Sequence, residues 1–585
     1  MTTSDGSSQP ARAPGRVAGP STGAAAGDSA GGAAGDGWPE AELALLRASA
    51  ADVERDAANA KRDAAAAVQA LRRFRGRRAI RVADRLHRAV RPLALARRSA
   101  GGRDATGPVQ PPRPQPATPD PAEFRRRFLR ALDQPGGPGV VIESAAEREP
   151  AAGGVVSRAA DAAQPATTLQ PATAARLAAD AGWRIVPAAD AAVRLVDRSD
   201  SWSVGRPRGP VLVALVDSAA DWLDCAWLNE ADLVVVPDAA TAAALRDRFA
   251  VAPQMAGSGE GLSSALRRWA EGYRIGIAIG IPSWEVAPTW GDLHFARDLQ
   301  RQLERAGYAT RIHILPEWAD AAAARDDAAI HLFGLSVREP LPGQRTILWV
   351  ISHPERVTPS LLARADRVYV AADRAAERFA SLTAAPVTAL HQATEPERFR
   401  PDRSGPAHDV LFVGNTRGVR RTMIEWLVPT TMDLAIYGRG WARQIGASPH
   451  IRDEHIPNDQ VHRWYASAAV VLNDHWPDMR EQGFLSNRLY DALAAGAFVV
   501  SDAVPGVEEE FDGGVVTADS GGKLRATIHA ALADPAWRHR IAERGRRAVL
   551  ARHTFAARAG TILDDLAGDL GGAPQRSRDV GDDGR

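Results

Sequence analysis

Three polar residues in one short stretch have the types and spacing for nucleotide chemistry. Asn487, Arg488 and Asp491 fall on a common helix face, Asp491 lying one turn beyond the other two. Ser486 in front of them is a good N-cap, 487–495 reads as the helix, and Gly496 supplies a left-handed stop. The apolar runs 468–472 and 497–500 on either side read as buried strands. A helix N-terminus at the carboxyl end of a parallel sheet offers free N–H groups to an anion. Phosphate donors and a diol-binding carboxylate on one helix suit a nucleotide-sugar diphosphate.

Further candidates close other predicted strands. In Pro288-Thr-Trp-Gly291-Asp292-Leu-His294, Gly291 lets backbone approach a ligand, Asp292 caps the helix that begins there, and His294 offers a contact to a bound sugar. His353 ends a strongly apolar run, where it can orient an acceptor hydroxyl or take its proton. His391-Gln-Ala-Thr394 ends another and lines an interdomain crease. The turn Phe412-Val-Gly414-Asn415-Thr-Arg417-Gly-Val-Arg420-Arg421 joins backbone donors to guanidinium groups that can neutralise a leaving diphosphate without a metal. It contains no Gly-Lys-Ser/Thr and lacks the glycine spacing of a dinucleotide fingerprint. Tyr437-Gly-Arg-Gly-Trp441 can shape a nucleobase pocket. Each has a plain alternative: a histidine satisfied by its own loop, an ordinary cap, or glycines in an ordinary turn.

Strand–helix alternation must position these groups. Residues 136–270 hold short apolar strand candidates at 140–142, 183–186, 211–216 and 233–236. A second such segment, 271–398, opens with Ile275-Gly-Ile-Ala-Ile-Gly-Ile281, and a third, 399–566, opens with Asp409-Val-Leu-Phe-Val-Gly414. The runs 211–217 and 231–238 parallel 347–353 and 365–372, which reads as a duplicated Rossmann-type unit. The expected fold class is α/β: two facing Rossmann-like domains, preceded by a degenerate third unit and an N-terminal helix.

Residues 1–36 are Gly-, Ala-, Ser- and Pro-rich and read as disordered, as does the tail 567–585. Within 37–100, Leu43, Leu46, Val53, Leu71 and Phe74 mark a heptad seam with an alanine-filled middle. It reads as a homo-oligomeric coiled coil or as a lone alanine-rich helix. The arginine-rich end, with Val82, Leu86, Val90 and Leu93 at helical spacing, reads as a helix on an anionic membrane surface or as a solvated basic face. Residues 101–135 read as a linker.

Composition sets the outer limits. Lysine is confined to Lys61 and Lys523 while arginine is abundant, so arginine richness is a bias of the whole chain rather than a partner signal. The net charge of +1, with no aromatic–basic stacking pattern, argues against nucleic acid. Cys225 is the single cysteine, which excludes an internal disulfide and a cysteine-based zinc site. With no signal-peptide core and no run of about twenty apolar residues, the expected location is cytoplasmic, with peripheral attachment to the inner face of the membrane.

The set Gly483-Phe484, Ser486-Asn487-Arg488, Asp491-Ala-Leu-Ala and Gly496-Ala-Phe-Val-Val-Ser-Asp502 resembles the signature of group 1 (family 4-like) glycosyltransferases. These have two facing Rossmann-like domains of B-type architecture, and the spore-maturation-protein-like branch is the most similar. The resemblance spans roughly 274–565. It implies a retaining transfer of a sugar from a nucleotide-diphosphate sugar to a glycan, lipid-linked or protein hydroxyl, with no metal and no cofactor beyond that substrate. The donor belongs to the third unit and the acceptor to the second. In that family two acidic residues bracket the loop; Asp491 matches the ribose contact with a shorter side chain. Glu481 is the candidate for the other, a donor-sugar contact counted with His353 as catalytic, although it stands off the usual spacing. Arg488, Arg417 and Arg421 are the nearest matches to the diphosphate-binding residues. A nucleotide-sugar epimerase and a non-catalytic sugar- or nucleotide-binding scaffold are the alternative readings.

Overall fold

The computed structural model describes residues 120–143, 173–202, 210–249, 251, 253–416 and 418–571. The heptad seam, the basic helix, residues 1–36 and Arg417 lie outside the described residues.

Three all-parallel sheets follow one another along the chain. The first holds β1 (Val140–Glu143), β2 (Val193–Val196), β3 (Val211–Leu215), β4 (Leu233–Val236) and β5 (Gln254–Met255), side by side in that order. The second holds β6 (Arg274–Ala278), β7 (Ala309–His313), β8 (Ala328–Phe333), β9 (Arg345–Val350), β10 (Arg367–Val370) and β11 (Val387–Ala389). Its order is β7-β6-β8-β9-β10-β11. The third holds β12 (Val410–Val413), β13 (Leu434–Tyr437), β14 (Ile451–Asp453), β15 (Val470–Asn473), β16 (Val499–Asp502) and β17 (Val515–Ala518), ordered β14-β13-β12-β15-β16-β17. Strands such as β15 and β16 are buried at every position, which is why they read as continuous apolar runs rather than as alternations. Strand order reverses between β6 and β8 and between β12 and β15, and ligand crevices of doubly wound sheets open at such points.

The first unit repeats the second, but the run 211–217 corresponds to 345–351, two residues from the expected 347–353. Val213 pairs with Leu233 and Val235 with Gln254; at one constant offset, Ile347 pairs with Arg367 and Tyr369 with Thr388. The carboxylates of Asp232 and Asp366 accept the corresponding N–H groups of Leu212 (2.8 Å) and Thr346 (2.7 Å). The helices Ala239–Arg248 and Asp373–Ala380 begin at matched positions. What differs is the carboxyl edge of the first sheet, which Trp202, Trp222 and Trp227 fill in one apolar cluster. Buried ion pairs fix this unit to the second: Asp232 takes Arg311 at 2.9 Å and Arg325 at 2.7 Å.

Three expectations change. The stretch 183–186 contributes only an isolated bridge, Val140 to Ile185, while β2 was hidden by Arg194, a buried charge accommodated by its ion pair with Glu143. The linker 101–135 contains a helix, Pro121–Asp133, started by Asp120, which accepts Glu123 N–H at 2.7 Å, and by Pro121 at the first turn. Phe124 and Phe128 pack it onto Trp269. The tail begins later than residue 567, because the helix Phe555–Asp569 continues to Asp569. That helix leaves the third unit and joins the core of the second, with Phe555 4.7 Å from Phe295, ring centre to ring centre, and Tyr369 Oη donating to Asp565 at 2.6 Å.

Candidate active site

The carboxyl edges of the second and third sheets enclose a cleft of about 340 Å³. Gly291, Asp292 and His294 line it from the second unit, and Gly414, Asn415, Asn487, Arg488 and Asp491 from the third. Eight of the candidate residues, read from three separate loops, thus meet in one place.

The helix Asn487–Ala494 forms as its residues dictate. Ser486 sits at the N-cap with its hydroxyl accepting Arg488 N–H at 3.3 Å, and Gly496 takes φ +79° beyond the end. Asn487 Nδ2 donates to Asp491 Oδ2 at 2.8 Å, and Thr394 Oγ1 donates to Asp491 Oδ1, also at 2.8 Å. Burial pushes the Asp491 carboxyl up to about 7, against the opposing charge of Arg398 and these hydrogen bonds. Arg488 lies over the Phe412 ring, 4.7 Å from its centre, and donates from Nη1 to Asn473 Oδ1 at 3.0 Å. Gly414 passes beneath it, where a Cβ would collide with the guanidinium. Asn415 accepts Arg439 N–H at 2.8 Å, which ties the loop after β12 to the loop after β13.

On the opposite wall, the helix Gly291–Arg305 begins at Gly291 with Trp290 in the cap position. Asp292 therefore lies inside the first turn and is not the cap, because the chain already turns helical one residue earlier. His294 bonds the Pro288 carbonyl at 3.1 Å through Nε2. Burial first, then the charge of Arg398, depresses it to about 4, so it is a neutral ring at pH 7. The segment joining the units supplies Gln392 and Arg398 to the same cleft. Gln392 Nε2 donates to Ile351 O and Leu485 O, both at 3.0 Å, stitching one wall to the other. Arg398 bridges Asp298 of the second unit and Asn458 of the third.

Other candidates lie elsewhere. Arg421 is buried and not presented to the cleft: it donates to Asp474 Oδ1 at 2.9 Å and Asn415 O at 2.8 Å. The acidic residue just past β15 draws it inward, and it shapes the loop rather than facing it. Ser486 acts as the cap and is not part of the lining. Glu481 is exposed on the helix Pro477–Gln482, and His353 is not part of the cleft lining. His353 adopts the left-handed region, φ 55°, with its ring 5.0 Å from that of Trp476 and Nδ1 3.1 Å from Glu355 Oε1. Burial, then the facing Glu355, pushes the Asp478 carboxyl above its ordinary value. His353, Glu355 and Asp478 form one group with metal-ligand atoms within 4.8 Å of one another; Asp373, His391 and Glu510 form another. Both lie on the seam between units and not in the cleft.

Sequence reading missed Arg398 and Tyr465, which also line the cleft. Arg398 has no motif around it and becomes visible only once Asp298 and Asn458 are seen on either side. Asn473 and Asp502 were legible in principle, as polar residues closing apolar strands at the ligand-facing edge.

Residues 419–564 match a family model described as glycosyl transferase-like. The third unit is thus a glycosyltransferase domain. No curated protein matches the sequence. Among solved structures, sucrose-phosphate synthase from Thermosynechococcus elongatus is similar at 14% identity and TM-score 0.39, over 51% of this chain and 100% of that one. HepE of Anabaena in complex with UDP and glucose is similar at 10% identity and TM-score 0.37, over 51% and 100%. An alpha-glucosyltransferase in complex with UDP is similar at 12% identity and TM-score 0.38, over 50% and 99%. Likeness this loose transfers neither a residue role nor a substrate.

Proposed function

We infer that this chain, a glycosyltransferase by its third unit, moves a sugar from a nucleotide-diphosphate sugar to a hydroxyl acceptor. The observation that carries the reading is the meeting of Asn487, Arg488 and Asp491 with Gly291, Asp292 and His294 across one cleft. Asp491 and Asn487 hold the ribose diol. Arg488, the first turn of its helix and the Asn415 N–H beside Gly414 hold the diphosphate and stabilise the charge it gains on leaving. The acceptor enters along the Trp290–His294 wall, where neutral His294, its Nε2–H given to the Pro288 carbonyl, leaves Nδ1 to accept a hydrogen bond.

Retention of configuration, independence from divalent metal and a glycan, lipid-linked or protein acceptor belong to the same reading. So do attachment to an anionic membrane and self-association through residues 37–100. A thermal-shift panel of nucleoside diphosphates and nucleotide sugars tests the core of it, since a donor that binds the folded state raises its melting temperature. A flat response across the panel, together with unchanged donor turnover in Asp491→Ala, would remove the donor site.

A further inference from the structure

Behind Arg488 lies a buried polar chain. His475 follows β15 by two residues and its side chain is fully enclosed. Its Nδ1 is 2.7 Å from Asp502 Oδ1, and its own backbone N–H donates to Asp502 Oδ2 at 3.1 Å. Its Nε2 is 2.9 Å from the backbone nitrogen of Ser486, the residue that caps the cleft helix. Ser501 Oγ donates to Asp502 Oδ1 at 3.2 Å, and Asn473 Nδ2 donates to Ser501 Oγ at 3.0 Å. The other end of the Asn473 amide receives Arg488.

Donor and acceptor counting fixes the protons. A backbone N–H can only donate, so Nε2 must present its lone pair to Ser486. Nδ1 then carries the single ring proton and gives it to Asp502. Burial raises the Asp502 carboxyl, and the hydrogen bonds it accepts from His475 and Ser501 act in the opposite direction. The carboxylate at the end of β16 thus grips the ring from the sheet side, and the ring grips the helix start.

We propose that His475, held by Asp502, is the positioning residue that sets the N-terminus of the cleft helix, and with it Asn487, Arg488 and Asp491, against the ends of β15 and β16. It touches no substrate: its effect on transfer runs through the placement of Ser486 and Arg488. The functional half of this inference rests on the nucleotide-sugar reading, but the structural half does not.

Two substitutions in the full chain separate the two ends of the ring. His475→Gln puts an amide oxygen near the Nε2 position and keeps an acceptor for Ser486, whereas His475→Asn keeps a donor for Asp502 and leaves Ser486 N–H unpaired. Amide hydrogen exchange over residues 486–489 without ligand should be faster in His475→Asn than in His475→Gln by about tenfold, the cost of one orphaned buried donor. Nucleoside diphosphate affinity should fall by a similar factor in His475→Asn and by less than about threefold in His475→Gln. Equal exchange in the two variants would overturn the proposal. Nitrogen NMR of the wild-type ring at pH 7 decides the same point without a variant: a neutral Nδ1–H tautomer supports it, and an Nε2–H tautomer or an imidazolium overturns it. Should wild-type chain bind no nucleoside diphosphate, the nucleotide-sugar reading fails, while exchange and tautomer still decide what His475 does.

Discussion

Asp491 should make donor binding depend on pH in a way a surface carboxylate would not. Its carboxyl is raised to about 7, so at pH 6 roughly a tenth of the molecules carry the carboxylate and at pH 8 roughly nine-tenths. If the ribose diol is read by the ionised form, the apparent Kd of a nucleoside diphosphate should tighten about tenfold from pH 6 to pH 8. Stability runs the other way. The native state holds this proton more tightly than the unfolded chain, so Asp491 lowers stability progressively from about pH 4 to about pH 7, with the full penalty above that. Three pK units correspond to at most about 4 kcal/mol, reduced by cleft water because the side chain is partly open to it. Asp491→Asn should therefore melt higher than wild type at pH 8 and lose that advantage at pH 4. It should also bind nucleoside diphosphate weakly and with little pH dependence. Titration calorimetry at several pH values, repeated in buffers of different ionisation enthalpy, measures affinity and proton release together. Wild-type affinity that is flat between pH 6 and pH 8 would refute the reasoning.

Three other perturbations isolate other parts of the cleft. Arg488→Ala should weaken nucleoside diphosphate binding by roughly tenfold to a hundredfold, the range of one charge-assisted hydrogen bond, and leave nucleoside binding nearly unchanged; calorimetry with both ligands checks this. Gly414→Ala should show a similar diphosphate-selective loss, because its methyl displaces the Arg488 guanidinium, with a melting temperature near wild type. Phe295→Ala removes contacts to Phe555 and Trp349 and should cost about 3–5 kcal/mol in urea unfolding, through release of the helix Phe555–Asp569.

Much of the fold was readable because parallel strands buried on both faces announce themselves as apolar runs; 233–236 appears unchanged as β4. The helix at 487 was equally legible, its cap and stop being local features. What escaped depends on partners distant in sequence. Arg194 disguised β2 because only Glu143 makes it a tolerable core residue. Arg421 looked like a phosphate ligand, and nothing nearby in sequence reveals that Asp474 holds it inside. Arg398 was invisible for the same reason. Spacing rules locate side chains along one element; they say nothing about which charge on another element will neutralise them.

The returning helix Phe555–Asp569 also bears on how the cleft can move. In the first unit the equivalent last helix, Gly259–Glu271, follows β5 directly and packs on the helix Thr173–Asp180. In the second unit the whole third unit is threaded between β11 and the helix that closes the core. The two lobes are therefore joined by two strands of chain, near residues 390–400 and 552–555, which run side by side where Thr394 bridges Thr554. A body held by two adjacent tethers cannot swivel freely; it can swing about the line through them. Opening and closing should thus follow a single hinge axis through the Thr394–Thr554 bridge, and Thr394, which also holds Asp491, sits on that axis and stays beside the site at every stage of the swing.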